Sequence, residues 1–369
     1  MKNYLNFENE IKNIEEEIDK LKDPFNKEGI STVDTDKIDK LQSDLDKNLK
    51  KIYSNLDAWQ TTLVARHEER PKSKFFIDNL FDNFFPLSGD RLFGEDKSSI
   101  AGLANFDGNS VMVIGQEKGD DLDSRIERNF GMMRPEGYRK SIRLMKIADK
   151  FGIPVIMFID TPGAYPGVGA EERGQAEAIA KTIECSLSIG VPNISIIIGE
   201  GGSGGAIALA SSNKILMFEN AIYSVISPEG CASILWRDPK KTLEAATAMK
   251  LTSKDLLELK IIDEIILEPS GGAHRNRDEI LSTLRMTLIR NLEELTKMSR
   301  QEVITHRKNK FLNIGRNQII SNEKLSSDEL FSGSVSKIFN VKNKIKSKKS
   351  YIFGLIFVTL ILFLYFMQS

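Results

Sequence analysis

The chain has 369 residues, of which 41% are hydrophobic, enough for a sizeable buried core and for two or three domains. Its 51 basic and 52 acidic residues give a net charge of −1, which implies no nucleic-acid or other polyanionic partner. The glutamate-rich N-terminus lacks the basic-then-apolar order of a signal peptide, so we expect a cytoplasmic protein.

The first 58 residues predict a helical hairpin. Apolar residues recur there at spacings of three and four, the period of an amphipathic helix. They are Ile11, Ile14, Ile18 and Leu21 in the first helix, and Ile38, Leu41, Leu45, Leu49 and Ile52 in the second. Neither apolar stripe is wide enough for a free-standing domain. We therefore expect residues 1–58 to pack on the body of the protein or on a partner subunit.

The body, residues 59–313, alternates strands with helices. Strands are predicted at 99–106 and 110–116, around an Asp-Gly turn, and at 155–160, 194–199, 215–218, 222–226 and 261–267. Helices are predicted at about 135–151, 171–189, 239–249, 253–259 and 278–298, with shorter ones beginning at Gly205 and at Ser227-Pro228. This alternation is typical of an α/β fold with a mostly parallel sheet wrapped by helices.

Two glycine-rich turns, each between an apolar strand and a helix, form the candidate site. One follows the strand at 155–160 and the other follows the strand at 194–199. Glycine lets the backbone approach a ligand closely, and a helix start offers unpaired N–H groups and a positive dipole end. Two such donor clusters, one βαβ unit apart, indicate a site that holds oxygen anions with backbone groups, which points to enolate chemistry.

The second turn also allows two other interpretations. Residues 201–205, Gly-Gly-Ser-Gly-Gly, match the G-x-S-x-G pattern of serine hydrolases, with Ser203 as the nucleophile and His274 as a possible base. The four glycines, however, indicate close backbone approach more than a single strained elbow. A phosphate cradle is the other interpretation, but the sequence has no G-x-x-x-x-G-K-[ST] motif and no acid at ribose-binding spacing.

Arg173 is a further candidate because its charge opposes its predicted position. It follows two glutamates at the start of the helix predicted from residue 171, where a cation is disfavoured by the helix dipole. A charge that breaks a local rule often marks a site. The functional interpretation is a guanidinium fork for a carboxylate or carbonyl, and the alternative is a solvated arginine paired with a neighbouring glutamate.

The C-terminal part differs in composition from the body. Residues 314–350 form a basic linker, with six lysines and no acidic residue between Leu330 and Ser350. Residues 351–367 form an uncharged apolar run that would be about 25 Å long as a helix, the short end of what spans a bilayer. We expect this run to tether the protein to the cytoplasmic face of a membrane, with packing on a partner as the alternative.

Several long runs of sequence resemble one known family. They are residues 128–132, 135–140, 158–175, 199–206 and 223–236, and the short runs 65–67 and 271–276 agree with them. In these runs the chain resembles the carboxyltransferase α subunit of bacterial-type acetyl-CoA carboxylase. The resemblance extends from residue 1 to about 315, and it leaves residues 316–369 without a counterpart.

The resemblance implies a crotonase-like fold of repeated ββα units, with the helical hairpin as an N-terminal extension. It implies transfer of a carboxyl group from carboxybiotin, on a separate biotin carboxyl carrier protein, to acetyl-CoA. The product is malonyl-CoA, and the reaction is the first committed step of fatty acid biosynthesis. The implied partners are a carboxyltransferase β subunit, in an α2β2 heterotetramer, and an ATP-dependent biotin carboxylase. Because the β subunit carries the zinc ribbon of the family, no metal is expected in this chain.

The resemblance also assigns roles to individual residues. Backbone N–H groups would stabilise two oxyanions, one on biotin and one on the acetyl thioester, while Arg173 would orient the transferring carboxyl group. The expected oxyanion donors are Gly167, Val168, Gly204 and Gly205. The expected substrate-binding residues are Gly163, Ala164, Gly201, Gly202 and Ser203. Which turn serves which oxyanion stays open, as does the alternative of a carboxyltransferase or decarboxylase for another acyl-CoA.

Overall fold

A computed structural model describes residues 3–22 and 35–315 of the chain. Its strands are β1 (Asp82–Pro86), β2 (Ser99–Phe106), β3 (Asn109–Gln116), β4 (Val155–Thr161), β5 (Asn193–Gly202), β6 (Lys214–Phe218), β7 (Ile222–Ser224) and β8 (Glu264–Ile266). They form one sheet with the order β1-β2-β3-β4-β5-β6-β8, and β7 pairs with the end of β5. The pairs β1–β2 and β2–β3 are antiparallel. The parallel pairs are β3–β4, β4–β5, β5–β6, β5–β7 and β6–β8. The predicted mostly parallel sheet is therefore confirmed.

Helices cover the sheet and flank it. The N-terminal ones are α1 (Asn9–Lys22), α2 (Thr35–Tyr53), α3 (Ala58–Ala65), α4 (Ser73–Leu80) and α5 (Leu122–Glu127). The central ones are α6 (Pro135–Phe151), α7 (Val168–Glu172), α8 (Gln175–Ser188), α9 (Ser203–Ala210) and α10 (Pro228–Leu235). The C-terminal ones are α11 (Thr242–Met249), α12 (Ser253–Glu258), α13 (Arg277–Thr296) and α14 (Arg300–Asn313).

The centre of the sheet is the core of the protein. Every residue of β4 and every residue of β5 is buried, because helices cover these parallel strands on both faces. The crossover from β3 to β4 runs through α6, the crossover from β4 to β5 runs through α7 and α8, and the crossover from β5 to β6 runs through α9. The carboxyl ends of β4 and β5 therefore lie side by side, and each leads into one of the glycine turns.

The predicted helix at 171–189 is confirmed from Gln175 to Ser188, but its start is wrong because the structure has two helices in this region. Helix α7 ends at Glu172 and α8 begins at Gln175, with Gly174 between them at φ +78°. A left-handed residue ends one helix and lets the chain turn into the next, and glycine adopts that conformation without steric cost. The predicted strand at 194–199 is also too short, since β5 continues through Gly202 into α9 without a loop.

The predicted N-terminal hairpin packs on the body. Helices α1 and α2 bury Ile11, Ile18 and Leu45 against each other, and this cluster reaches Val64 of α3. The guanidinium of Arg275 binds the carboxylates of two residues in the N-terminal segment, Glu8 and Glu15. Described residues up to Phe311 form one compact unit. The predicted domain boundaries at 58 and 313 stay predictions.

The predicted apolar run at 351–367 and the basic linker beyond residue 315 lie outside the described residues. Among residues 3–22 and 35–315, no helix is both long enough and apolar enough to cross a bilayer. The membrane tether therefore stays a prediction.

Candidate functional site

The two glycine turns meet at the carboxyl ends of β4 and β5. A Cβ atom on Gly202 would overlap the carbonyl of Pro162, and one on Gly205 would lie 2.6 Å from the carbonyl carbon of Gly163 and 2.9 Å from the nitrogen of Ala164. Real Cβ atoms do not come that close to backbone atoms, so only glycine fits at these two positions. The structure thus brings together the predicted residues Gly163, Ala164, Gly202 and Gly205.

The other predicted residues of the two turns have different neighbours. The Cβ of Ser203 faces Gly163, Gly204 faces Ile179 of α8, and Gly201 packs against the ring of Tyr223. The remaining two, Gly167 and Val168, begin α7; Gly167 packs against the ring of Tyr165, and the side chain of Val168 is exposed.

Both turns lead into helices whose first N–H groups are not capped. Gly202 precedes α9 and Gly167 precedes α7, and neither helix has a side-chain hydrogen bond at its N-cap. The first N–H groups of a helix have no acceptor within the helix, and they carry the positive end of its dipole. In the described part of the chain, the N–H groups of Gly204 and Gly205 are therefore available to an oxygen anion.

A buried ion network joins the ends of β4 and β5. The ammonium of Lys118 lies 2.9 Å from Oδ1 of Asp160 and 3.1 Å from Oε2 of Glu200. Arg66 binds the other oxygen of Glu200 at 2.8 Å and also binds Glu229 of α10. Burial alone would raise the pKa of Glu200, but the charges of Lys118 and Arg66 hold that pKa below its ordinary value. One lysine thereby fixes the strands that carry the two turns.

The pairing of β4 with β5 is irregular beside this network. Ile159 pairs with Ile197 and Thr161 pairs with Gly201, so three residues of β5, 198–200, lie opposite the single residue Asp160. The Asp160 carboxylate accepts the N–H of Glu200 at 2.9 Å, which satisfies a backbone donor that the irregular pairing leaves without a ladder partner. The irregularity places Glu200 next to Lys118 just before the glycine run begins.

Ser203 has a strained backbone, with φ +50° at the point where β5 becomes α9. This conformation resembles a nucleophile elbow more than the sequence suggested. A hydrolase would also need a base, and the structure offers Ser203 no histidine. His67 and His274 stack on each other with ring centroids 3.9 Å apart, and His306 lies beside Asn213. The backbone of Ser203 therefore fits a hydrolase, but none of the three histidines, all within the described residues, forms a hydrogen bond with its hydroxyl group.

Arg173 does not begin a helix, so the dipole argument for it is wrong. It is the C-cap of α7, where a cation suits the helix dipole. Its guanidinium binds Glu136 of α6, with Nε 2.6 Å from Oε1 and a second nitrogen 3.3 Å from Oε2, and it stacks on Phe93. The hydrogen bond to Glu136 raises the pKa of Arg173. The partner is thus a glutamate from another helix and neither of the neighbouring glutamates.

Sequence reasoning missed the residues that support the turns. Asp160 and Glu200 are single acidic residues in apolar or glycine-rich surroundings, and Lys118 is one of several charged residues after β3. Their pairing joins parts of the chain that are far apart. The only local signal was an acid near the end of each buried strand. A cavity of about 240 Å³ lies beside this network and is lined in part by Arg66, Lys118, Phe130, Asp160, Pro162 and Glu200.

Comparisons with known proteins decide the family. A family model described as acetyl co-enzyme A carboxylase carboxyltransferase-like matches residues 4–315. The acetyl-coenzyme A carboxylase carboxyl transferase subunit alpha of Pelagibacter ubique (strain HTCC1062) is 67% identical over 370 residues, which cover 100% of both chains. The chain belongs to this carboxyltransferase α-subunit family. The resemblance seen in the sequence is therefore confirmed, and the chain is a subunit of a biotin-dependent carboxyltransferase.

A second relative of this α-subunit family shows where its common part ends. The α subunit of Zymomonas mobilis subsp. mobilis is 55% identical over 316 residues, which cover 85% of this chain and 100% of that relative. The family model likewise ends at residue 315. The relative from Pelagibacter ubique, however, aligns with the whole of this chain. The expectation that residues 316–369 have no counterpart is therefore wrong.

Two solved structures share the fold at low sequence identity. A transcarboxylase 12S structure with methylmalonyl-coenzyme A bound has a TM-score of 0.51 and 17% identity, over 63% of this chain and 44% of that chain. A Pseudomonas malonate decarboxylase hetero-tetramer in complex with coenzyme A has a TM-score of 0.50 and 15% identity, over 60% of this chain and 87% of that chain. The predicted crotonase-like fold is confirmed.

The described residues fit a ligand that presents an oxygen anion. The contacts of Gly202 and Gly205 leave no room for side chains there, and within the described residues no side-chain cap binds the N–H groups at the start of α9. The ureido oxygen of biotin and the carbonyl oxygen of a thioester would each develop such a negative charge in an enolate form. Within residues 3–22 and 35–315, no group of three or more histidine, cysteine or acidic side chains could hold a metal ion.

Proposed function

We propose that this chain transfers the carboxyl group of carboxybiotin, carried by a biotin carboxyl carrier protein, to acetyl-CoA and so forms malonyl-CoA. The observation that carries the proposal is the contact of the two glycine turns beside the uncapped start of α9. Biotin supplies the carboxyl group and a ureido nitrogen that can take up a proton. The family of the chain supports the same reaction.

The N–H groups of Gly204 and Gly205 bind a developing oxyanion in this proposal. Donors fixed before the reaction stabilise the transition state more than water does, and losing one typically adds about 3–4 kcal/mol to the barrier. The N–H groups of Gly167 and Val168 are the proposed second donor pair. The close contacts of Gly202 and Gly205 support the role of the Gly204 and Gly205 donors, because they hold the backbone at the start of α9 in one position.

Arg173 orients the transferring carboxyl group in this proposal. A guanidinium presents several N–H donors in a plane and binds carboxylates through two parallel hydrogen bonds. Glu136 already holds one edge of the Arg173 guanidinium, which fixes the direction of the remaining donors. About a quarter of the side chain is exposed, so solvent and ligands can reach it.

The chain acts with a carboxyltransferase β subunit in an α2β2 heterotetramer, and with a biotin carboxyl carrier protein and a biotin carboxylase. The names of its relatives, which are α subunits, support a β partner. The partner supplies most of the pocket for coenzyme A in this proposal. A carboxyltransferase or decarboxylase for another acyl-CoA remains the alternative, since it would use the same oxyanion donors.

The test measures the reverse reaction, decarboxylation of malonyl-CoA, by the purified α and β subunits with added biotin. The expected result is biotin-dependent formation of acetyl-CoA by the wild-type complex, with much slower turnover of methylmalonyl-CoA. The wild-type complex without biotin serves as the control. An intact wild-type complex without activity would contradict the carboxyltransferase proposal. Faster turnover of a longer acyl-CoA would favour the alternative.

We also propose that the protein is cytoplasmic and is tethered to the membrane by residues 351–367. The uncharged apolar run and the lysine-rich linker before it support this location. The test compares the full chain with a variant that ends at residue 350, by fractionating cells into membrane and soluble parts. The full chain should appear in the membrane fraction and the shortened variant in the soluble fraction; equal distribution would contradict the tether.

A further inference from the structure

We infer that Gln116 and Gln175 are positioning residues that hold the two glycine turns from behind. This inference rests on the proposed function, because it gives these two side chains a role in the same reaction. Both side chains are almost completely buried. Each donates hydrogen bonds from its amide nitrogen to backbone carbonyls that lie in one turn or next to it. Neither side chain would touch a substrate.

Gln116, the last residue of β3, holds the second turn. Its Nε2 donates a hydrogen bond to the carbonyl of Gly205 at 2.8 Å, across 89 residues of sequence. Gly204 and Gly205 have no side chains with which to fix their own backbone, and glycine has the widest conformational freedom of any residue. A bond from the rigid centre of the sheet to this carbonyl therefore fixes the direction in which the first N–H groups of α9 point.

Gln175, the first residue of α8, holds the first turn. Its Nε2 donates to the carbonyl of Met133 at 2.9 Å and to the carbonyl of Tyr165 at 3.1 Å. The N–H of Tyr165 donates to the same carbonyl of Met133. Tyr165 lies between Ala164 and Gly167, so these bonds fix the middle of the turn against the segment before α6.

The two glutamines meet at one residue, Met133, which is completely buried. Gln116 also directs its Nε2 to the sulfur of Met133 at 3.5 Å, while Gln175 binds the carbonyl of that residue. The contacts of Gly202 and Gly205 thus hold the two turns to each other. The amides of Gln116 and Gln175, which both contact Met133, hold the turns to the rest of the protein. A shift of one turn would be transmitted to the other along this path.

The orientation of both amides follows from their acceptors. Gly205, Met133 and Tyr165 all present carbonyl oxygens, which an amide oxygen would repel, so only the NH2 group can face them. As a result Oε1 of both glutamines is buried and has no donor in the described part of the chain. A buried polar atom without a partner is destabilising. Two such oxygen atoms at one site indicate that both glutamines are present for their hydrogen bonds to the turns, although each unpartnered oxygen lowers the stability of the fold.

The test uses the purified α–β complex and measures kcat and KM for malonyl-CoA decarboxylation together with Tm. Gln116→Met and Gln175→Met keep the side-chain length and remove the donor. The matched control is Thr182→Val in α8, which removes a buried hydrogen bond to the carbonyl of Tyr138 away from the turns. We expect the two glutamine variants to lower kcat at least tenfold with KM changed less than twofold, and Thr182→Val to lower Tm only.

Gln116→Glu gives a second, independent measurement. A protonated carboxyl group can donate to the carbonyl of Gly205, whereas a carboxylate cannot, so kcat relative to wild type should rise as the pH falls. Wild-type kcat in Gln116→Met and Gln175→Met, a loss of kcat that Thr182→Val matches, or a kcat of Gln116→Glu that stays low at every pH would each overturn the inference. A wild-type complex without activity would instead overturn the proposed function. In that case hydrogen–deuterium exchange decides: exchange at the start of α9 should be faster in Gln116→Met than in Thr182→Val, and equal exchange overturns the inference.

Discussion

Gly202 packs its Cα against the carbonyl of Pro162 so closely that no other residue fits there. The φ of Gly202 is −97°, a value that any residue can adopt, so the requirement for glycine comes from proximity and not from backbone conformation. The contact joins the two turns through main-chain atoms alone. The spacing of the turns therefore depends on the absence of side chains.

Alanine at the glycine turns should have effects that differ by position. Gly202→Ala and Gly205→Ala push a methyl group into backbone atoms of the first turn, and overpacking of this kind typically lowers stability by about 1–3 kcal/mol. We also expect kcat to fall by at least about tenfold. Gly204→Ala is the matched control, because its new methyl group meets only Ile179, at 3.6 Å. Thermal unfolding and kcat measure the difference, and equal Tm values for all three variants would contradict the steric argument.

Ser203 should be more important for its backbone than for its hydroxyl group. Ser203→Ala should keep most of the activity, since the proposed donors are N–H groups; a complete loss would support the hydrolase interpretation. Ser203→Gly should raise the free energy of unfolding by up to about 1 kcal/mol, because it relieves the strain of φ +50°. Urea denaturation measures this gain, and a destabilised glycine variant would show that the strain is absent.

Lys118→Met should strongly destabilise the protein. It leaves the buried carboxylates of Asp160 and Glu200 side by side, and breaking a buried ion pair typically lowers stability by about 3–5 kcal/mol. The matched control is Lys74→Met, which removes an exposed pair with Asp78 and should lower stability by less than about 1 kcal/mol. Chemical denaturation at pH 7 compares the two variants, and equal losses would contradict the prediction.

The loss in Lys118→Met should also depend on pH. The native pKa of Glu200 lies below its unfolded value, so the ion pair stabilises the protein above the ordinary glutamate pKa and loses this effect as the pH falls through the native pKa. The difference between wild type and variant should therefore be largest near neutral pH and shrink below about pH 4. A constant difference across this range would contradict the assignment.

His274 should make the protein less stable in mild acid. Burial, followed by the charge of His67 and of nearby arginines, lowers the pKa of His274 from 6.5 to about 2. Below pH 6.5 the unfolded chain binds a proton that the folded chain does not, so this residue removes about 1.4 kcal/mol of stability per pH unit. His274→Phe keeps the stacking on His67 without the titration. Urea unfolding at pH 5, 6 and 7 should show a smaller loss in this variant, and an identical slope would contradict the prediction.

Arg173 should need its guanidinium and not only its charge. Arg173→Lys keeps a cation for Glu136, and Arg139 also binds that carboxylate, so stability should change by less than about 1 kcal/mol. Lysine lacks the planar fork, and we therefore expect kcat to fall at least about tenfold. Steady-state kinetics and Tm test both parts. Wild-type kcat in Arg173→Lys would contradict an orienting role.

Local signals in the sequence predicted much of the fold. Pro135 and Gly152 bound α6 at the predicted residues, and Ser227 caps α10 as predicted. The break between α7 and α8 was missed, because a single glycine in a polar stretch does not by itself end a predicted helix, and here its left-handed conformation does so. Helix α14 was also missed, since its buried anchors are few: Val303 and Arg307.

The candidate site was predictable in its main-chain part only. Glycine runs after two buried strands predicted the turns, and the parallel sheet brings strand ends together. Their mutual contact and the side chains behind them depend on long-range packing: Gln116 reaches Gly205, and Lys118 reaches Glu200. No periodicity or motif in the sequence encodes such pairs.

The irregular pairing of β4 with β5 limits how this protein can evolve. Three residues, 198–200, occupy the space opposite Asp160, and side chains alternate between the two faces of a strand. Loss of one of the three would turn every following residue of β5 to the other face and move the start of α9. Selection must therefore act on the number of residues here as well as on their identity. A descendant that lost Ile198 alone would keep every glycine and every charge and still have no site.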